Sequence, residues 1–173
     1  CRVEYIVQVI KRNIINEHIN SSTQICNNLN ILDVGCGGGL LCEPLSRLGG
    51  NVTGIDVSEN AIITAKQHAS KMGLKINYIC TSLEELNIKK DFDLIIASEV
   101  IEHVLDRKYF LKMIRKISSN KTSFIFTTIN KSIPSLLFGK FAAEYILNLI
   151  PKGTHDWEKF VTCLLYTSDA ADE

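Results

Sequence analysis

Few features of this sequence set it apart from ordinary globular proteins. Its 173 residues include only three prolines and ten glycines and contain no internal repeat, which excludes collagen-like and low-complexity sequence. Nineteen basic residues balance nineteen acidic ones, and this lack of excess charge argues against a nucleic-acid partner. No run of about 18 uncharged apolar residues occurs, so the sequence does not predict a membrane-spanning helix. With 46% apolar residues, the chain has the composition of one globular domain.

The six cysteines form no Cys-x-x-Cys pair. Because a zinc site or a disulfide framework needs such regular spacing, we interpret them as reduced, intracellular thiols. Cys36 lies in a glycine-rich stretch before a predicted helix, where a thiol can become reactive. Simple packing is the interpretation that we favour for it.

Both ends of the chain depart from the pattern of a complete protein. The chain starts at Cys1, and apolar residues already recur at helical spacing from Val3 to Ile14, so we expect the natural N-terminus to lie upstream. The last eleven residues, 163–173, resemble the in-frame translation of a sequencing-library adapter. We therefore expect one domain over residues 1–162 and a non-native tail over 163–173.

Short apolar segments alternate with helical patterns along most of the chain. Ser58 is a predicted N-cap, and Gly49-Gly50 and Gly73 are predicted helix ends. The alternation predicts an α/β fold, with a mostly parallel sheet, helices on both faces and right-handed crossovers. Strands are predicted at residues 30–34, 51–56, 76–80, 93–97 and 122–128, and helices at 40–48, 59–71, 83–86 and 102–117.

A glycine cluster follows the first predicted strand, and an acid ends the second. A strand that enters a glycine-rich turn and then a helix lets a ligand approach the backbone, and the helix N-terminus offers free N–H groups. Asp56 lies 21 residues after Gly35, a spacing that suits a carboxylate accepting the hydroxyls of an adenosine ribose. The pattern is not a dinucleotide fingerprint, because Leu40 stands where the third glycine of G-x-G-x-x-G belongs. A nicotinamide-dependent oxidoreductase is thus the weaker alternative, and a ligand-free structural turn is another.

Several motifs together carry a resemblance to a known family. The segments LDVGCGGG (32–39), VTGID (52–56) and EVIEHV (99–104) resemble class I S-adenosylmethionine-dependent methyltransferases. Further on, TIN (128–130), AEYIL (143–147) and PKGTHD (151–156) resemble the ubiquinone-biosynthesis O-methyltransferases. The resemblance implies a Rossmann-like fold, truncated here before its last two strands. It also implies methylation of catechol hydroxyls on polyprenylated ubiquinone precursors; methylation of another small molecule is the nearest alternative.

The resemblance implies specific cofactor contacts. The family's contacts to S-adenosyl-L-methionine correspond to Arg2, Gly35, Asp56 and Ser98. The guanidinium of Arg2 could pair with the methionine carboxylate. Ser98 follows the fourth strand, at the edge of the sheet where ligands bind, and its contact could be through the backbone alone.

The same resemblance draws attention to Glu99, Glu102 and His103. On a helix, residues at i, i+3 and i+4 share one face, so the three side chains would converge. The family's eukaryotic members imply magnesium at these positions, where it would lower the pKa of a bound hydroxyl. Glu102 and His103 are the predicted catalytic residues, with His103 as an alternative general base because imidazoles exchange protons near neutral pH. Helix packing with a solvated acid is the remaining interpretation.

Residues 131–157 look like an amphipathic insertion after the fifth strand. Large apolar side chains flanked by lysines over residues 131–150 are consistent with peripheral membrane contact, and a lid helix packed on the domain explains them equally well. The expected partners are a polyprenyl catechol substrate and other enzymes of ubiquinone biosynthesis. The expected location is the cytoplasmic side of the inner membrane in a bacterium, or the matrix side of the mitochondrial inner membrane in a eukaryote.

Overall fold

Strands and helices alternate along the chain in the computed structural model, which describes residues 2–13, 25–88 and 91–128. The strands form one five-stranded sheet in the order β3-β2-β1-β4-β5. Strand β1 pairs in parallel with both β2 and β4, and β2 pairs in parallel with β3. The predicted α/β fold is confirmed. The elements are α1 (Arg2–Asn13), β1 (Asn30–Val34), α2 (Cys42–Arg47), β2 (Asn51–Asp56), α3 (Glu59–Lys71), β3 (Asn77–Cys80), β4 (Leu94–Ser98), α4 (Arg107–Lys116) and β5 (Ser123–Thr127).

The chain divides into two compact units. The first comprises residues 1–98 and 105–126, and the second comprises residues 99–104 and 127–173. The first unit carries the four helices, strands β1 to β4 and all but the last residue of β5. Of the second unit, the structure describes residues 99–104 and 127–128.

The core of the first unit follows from the apolar pattern of its elements. Strands β1 and β4 are almost continuously apolar and buried, as expected for central strands of a parallel sheet that is covered on both faces. Helix α1 buries Ile6 and Ile10, which are four residues apart on one face. Helix α3 buries Ile62, Ala65 and Ala69 at the same helical spacing.

Capping residues set the ends of α3, as the sequence predicts. The Ser58 hydroxyl accepts a hydrogen bond from the Ala61 N–H at 3.3 Å, and Gly73, with a φ of +66°, follows the end of the helix. Gly49 has a φ of +93° just after α2. The capping residues alone were therefore sufficient to predict both ends of α3 and the end of α2.

The helix predicted over residues 102–117 is wrong in its first part, because α4 begins only at Arg107. Glu99 has a φ of +58°, which a right-handed helix cannot accommodate, and residues 101–103 form a turn. Asp106 is extended and accepts a hydrogen bond from the Tyr109 N–H at 2.9 Å, so it is the N-cap of the helix. The short helix predicted over residues 83–86 is likewise a turn at residues 83–85.

Some predictions concern residues outside the described ranges. These are the insertion at 131–157, including the membrane contact predicted at 131–150, and the non-native tail at 163–173. Among the described residues, no helix is both long and apolar enough to cross a membrane.

Candidate functional site: the glycine loop and the segment after β4

The loop after β1 depends on glycine at three alternate positions. Gly35, Gly37 and Gly39 have φ values of +70°, +52° and +85°, in the left-handed region that L side chains rarely adopt. A Cβ atom added at Gly37 or Gly38 would meet nothing within 4 Å, so this side of the loop is open. The open side allows a ligand to approach the backbone of the loop closely.

The other side of the loop is closely packed. A Cβ atom added at Gly39 would overlap the hydroxyl of Tyr78 and lie 3.0 Å from its Cζ atom. Gly54 in β2 is equally restricted, since its Cβ would lie 2.8 Å from Cys42 Sγ and 2.9 Å from Cys36 Sγ. The loop is therefore supported from beneath by side chains of β3, α2 and the loop itself.

Asp56 is joined to the loop by hydrogen bonds. The Gly37 N–H donates to Asp56 Oδ2 at 2.8 Å, and the Ser58 N–H donates to Oδ1 at 2.8 Å. The N–H groups of Gly35 and Cys36 both donate to the carbonyl of Ile55, at 2.8 and 2.9 Å. A carboxylate has about four lone-pair sites, so Asp56 can accept further hydrogen bonds from a pair of hydroxyl groups while these contacts persist.

Buried polar groups of β1 and α2 lie beneath the loop. Asp33 is 1% exposed, and its Oδ2 accepts a hydrogen bond from the Cys42 thiol at 3.2 Å. Contact with Cys36, then burial and the Asp33 carboxylate, raises the pKa of Cys42 far above its ordinary range. Burial raises the pKa of Tyr78 in the same way. The Cys42 thiol and the Tyr78 hydroxyl are therefore neutral at physiological pH, and the contacts of these buried groups pack the loop against the sheet.

The predicted contact residues Gly35, Asp56 and Ser98 belong to one edge of the sheet. In the parallel register, Val34 of β1 pairs with Ile55 of β2 and with Ala97 of β4. Gly35, Asp56 and Ser98 directly follow these three residues, so they share the carboxyl edge of the sheet. The strand order reverses between β1 and β4, and open α/β sheets bind ligands at such a switch point. Arg2 is the first residue of α1, and its side chain lies outside the described part.

The three predicted acid and imidazole residues of the second unit lie on a bend and a turn, not on a helix. Glu102 is 2% exposed, and its Oε2 accepts a hydrogen bond from the Thr128 hydroxyl at 3.1 Å. The His103 side chain is exposed, and the backbone N–H of His103 donates to the Val100 carbonyl at 2.9 Å. The Glu99 N–H donates to the Thr127 carbonyl at 2.7 Å. A turn thus buries the Glu102 side chain and leaves that of His103 exposed to solvent.

This arrangement does not fit the predicted magnesium site. Within residues 2–13, 25–88 and 91–128, no three His, Cys, Asp or Glu side chains are grouped so that they could hold a metal ion. The Oε1 atom of Glu102 is buried without a hydrogen-bond partner, so this one oxygen could accept from a further group. Metal binding by Glu99, Glu102 and His103 remains a prediction that the described geometry does not support.

Three functional groups of this region were not among the predicted site residues. The Gly37 N–H orients Asp56, Asp33 accepts from a buried thiol, and Thr128 holds Glu102. The alternation of glycines was the signal that could have identified Gly37. Thr128 belongs to the TIN segment that contributes to the family resemblance, but its contact with Glu102 could not be predicted from the sequence, because the contact depends on the turn after β4.

A Rossmann-like sheet with a glycine loop after β1 and an acid at the end of β2 is the arrangement of proteins that bind nucleotide-containing ligands. Residues 32–126 match the family described as a methyltransferase domain. The chain belongs to this family, and its fold is that of the class I methyltransferases.

Two relatives and one solved structure illustrate the similarity. The chain is 47% identical over 156 residues to the ubiquinone biosynthesis O-methyltransferase of Pelagibacter ubique, and 44% identical over 161 residues to that of Rickettsia prowazekii. These alignments cover 90% and 92% of this chain but 65% and 60% of the relatives, so the chain spans less than two thirds of their length. The plantazolicin methyltransferase BpumL, solved with a monoazolic desmethylPZN analog and SAH, shares the fold at 23% identity. Its TM-score is 0.69, and the match covers 95% of this chain and 60% of BpumL.

Proposed function

We propose that the chain is the donor-binding part of an enzyme that methylates catechol hydroxyls of polyprenylated ubiquinone precursors, with S-adenosyl-L-methionine as the methyl donor. The observation that carries the proposal is the glycine loop, whose Gly37 N–H is hydrogen-bonded to Asp56 and whose outer side is open. The name that the two bacterial relatives share supports the choice of reaction and acceptor.

The donor would bind along the open side of the loop. Asp56 would accept hydrogen bonds from the ribose hydroxyls, because its carboxylate is already oriented by two backbone N–H groups and has lone pairs to spare. Gly35 and Gly37 would allow the donor to approach the backbone. Ser98 would contribute from the end of β4, and Arg2 would pair with the methionine carboxylate. Bound S-adenosyl-L-methionine supplies an electrophilic sulfonium methyl group.

The residues after β4 would act on the acceptor. His103 is exposed, so its imidazole is free to accept the proton of a catechol hydroxyl and thereby increase the nucleophilicity of the oxygen. Glu102 is buried, and its hydrogen bond from Thr128 fixes one carboxylate oxygen. Its second oxygen would be available to orient the acceptor or His103. The main contribution of the protein would be to hold donor and acceptor in line.

The surroundings of the enzyme are part of the same proposal. A polyprenyl substrate lies in a lipid bilayer, which supports a peripheral position at the inner membrane. In a bacterium this would be its cytoplasmic face, and in a eukaryote the matrix face of the mitochondrial inner membrane. Other enzymes of ubiquinone biosynthesis are the proposed protein partners.

The first test compares two carboxylates that both accept from backbone N–H groups. Asp56 lies at the carboxyl edge of the sheet, whereas Asp93 Oδ2 accepts from the Asn30 N–H at 2.8 Å at the opposite edge. We expect Asp56→Asn to weaken S-adenosyl-L-methionine binding by at least about tenfold in calorimetry, because a charge-assisted hydrogen bond contributes roughly 1.5–3 kcal/mol. Asp93→Asn should leave the affinity unchanged. Tighter binding of NAD than of S-adenosyl-L-methionine by the wild type would instead indicate an oxidoreductase.

The second test is the reaction itself. Labelled methyl transfer from S-adenosyl-L-methionine to a short-chain polyprenyl catechol should be detected with the protein extended to the length of its relatives. A protein that binds the donor but methylates only unrelated small molecules would refute the proposed acceptor. A protein that binds the donor and transfers no methyl group to any acceptor would refute the proposed reaction.

A further inference from the structure

Helix α4 and the residues after it carry a charge distribution unlike that of the rest of the chain. Residues 107–121 contain six lysine and arginine residues and no acid, although the whole chain has nineteen basic and nineteen acidic residues. The acid that precedes the helix, Asp106, is engaged as its N-cap. A concentration of positive charge in one segment of an otherwise balanced chain indicates an anionic partner.

The geometry of α4 places most of this charge on one outward face. Phe110 and Ile114 are buried on the inner side of the helix. Lys108, Lys112 and Lys116 follow each other at intervals of four residues, so they share a face, and all three are exposed. Exposed Arg115 lies beside them. In the described part of the chain, no ion pair engages these four cations.

Apolar side chains accompany the charges at the surface. Leu105, one residue before the N-cap, is 97% exposed, and Tyr109 in the first turn is 47% exposed. Leu111, at the flank of the helix, is also exposed. Exposed aromatic and aliphatic side chains next to lysines are typical of helices that lie in a membrane interface, where lysines contact headgroups and apolar groups enter the acyl boundary.

We propose that the outward face of α4, together with Leu105 and Tyr109, docks on an anionic phospholipid surface with the helix parallel to the membrane plane. Charge complementarity favours an anionic surface, and the exposed leucine and tyrosine favour a lipid over a nucleic acid, whose phosphates would leave these side chains in water. None of its residues belongs to the insertion predicted at 131–157. The inference rests on the peripheral membrane position in the proposed function and deepens it by naming the surface that contacts the lipid. Binding to neither kind of vesicle would refute the membrane position itself, whereas binding to anionic vesicles that the α4 variants leave unchanged would refute only this surface.

The test is co-sedimentation of the full chain with phosphatidylcholine vesicles, with and without phosphatidylglycerol. We expect binding only to the anionic vesicles, weakened by added salt. The triple variant Lys108→Glu/Lys112→Glu/Lys116→Glu should lower the partition coefficient by well over tenfold, since each lysine near an anionic surface contributes about fivefold. The matched control Lys66→Glu/Lys71→Glu/Lys75→Glu alters three exposed lysines on or just after α3 by the same charge, and it should retain most of the binding.

A second variant separates the apolar contribution from the charge. Leu105→Ser/Tyr109→Ser retains every cation and should still weaken vesicle binding severalfold. Circular dichroism and S-adenosyl-L-methionine affinity, measured on the same preparations, identify a variant that has lost its fold. If the triple variant is unfolded, the double variant tests the proposal in its place. Equal losses in the α3 and α4 triple variants, or equal binding to neutral vesicles, would overturn the proposal. So would α4-dependent binding to a DNA duplex in the absence of vesicle binding.

Discussion

The glycine loop after β1 and the segment 99–104 after β4 hold their polar groups in different ways. The loop is built from backbone, since three glycines with positive φ turn the N–H of Gly37 towards Asp56. In the segment, a single non-glycine residue with positive φ, Glu99, precedes a turn that buries Glu102 and exposes His103. Substitutions in the loop should therefore disturb folding and donor binding, whereas substitutions in the segment should disturb chemistry at constant fold.

The largest effect is expected within the loop, where Gly39→Ala on its packed side is compared with Gly38→Ala on its open side. Alanine at Gly39 combines a φ of +85° with an overlap against Tyr78, so we expect a loss of about 3 kcal/mol or more in the free energy of unfolding. Alanine at Gly38 meets nothing within 4 Å and should change stability little, while it fills the open side of the loop and weakens S-adenosyl-L-methionine binding. Urea unfolding and calorimetry measure the two effects.

Equal stability of the two alanine variants would contradict the packing described for the loop. The double variant Gly39→Ala/Tyr78→Phe provides an internal control, because removal of the Tyr78 hydroxyl relieves the nearest overlap. We expect it to recover part of the lost stability, with the backbone strain at φ +85° as the remainder.

For the segment after β4, the corresponding change is His103→Ala. If His103 accepts the catechol proton, kcat should fall about a hundredfold while the Kd for S-adenosyl-L-methionine is unchanged. His68→Ala is the control, since the imidazole of His68 in α3 is hydrogen-bonded to Glu43 in α2. It should affect stability and leave kcat of the folded protein unaltered. A His103→Ala enzyme with full kcat would assign the proton transfer to another group.

The same contrast explains which parts of the molecule the sequence could predict. The glycine turn after β1, the position of Asp56 at the end of β2 and the ends of α3 agree with the sequence, because glycine, serine and aspartate determine backbone geometry within a few residues of themselves. The helical grouping of Glu99, Glu102 and His103 failed, because residue spacing has meaning only once the backbone conformation is known. The contact between Thr128 and Glu102 joins positions 26 residues apart, and the positive φ of Glu99 reflects local backbone strain. Residue periodicity indicates neither feature.

A smaller effect should appear in alkaline solution, and it concerns two buried thiols of the first unit. Burial raises the pKa of Cys26 to about 11 from an ordinary value of 9.0, and the pKa of Cys42 is raised further. Between about pH 9 and 11 the unfolded chain loses these protons while the folded protein keeps them. The free energy of unfolding should therefore be unaffected by these thiols below pH 9 and decrease above it, by about 1 kcal/mol per thiol at pH 10.

Urea unfolding from pH 8 to pH 10.5 measures this slope. Cys26→Ala should reduce the slope, whereas Cys80→Ala, at an exposed cysteine, should not alter it. An increase in stability with pH over this range would mean that the buried thiols ionise in the folded protein.

The smallest effect that we expect is that of a chelator on methyl transfer. This measurement distinguishes the prediction from the sequence motif from the prediction based on the structure of the segment 99–104. The motif predicts a magnesium site at Glu99, Glu102 and His103, and loss of that ion would abolish turnover. The described geometry favours the opposite result, since Glu102 is buried against Thr128, His103 is exposed and the described residues include no group of three potential ligands. The rate in excess EDTA should therefore equal the rate in added magnesium. A rate that is lost in EDTA and restored by magnesium would show that the turn after β4 rearranges, since magnesium holds its oxygen ligands in near-octahedral geometry that these side chains do not provide as described.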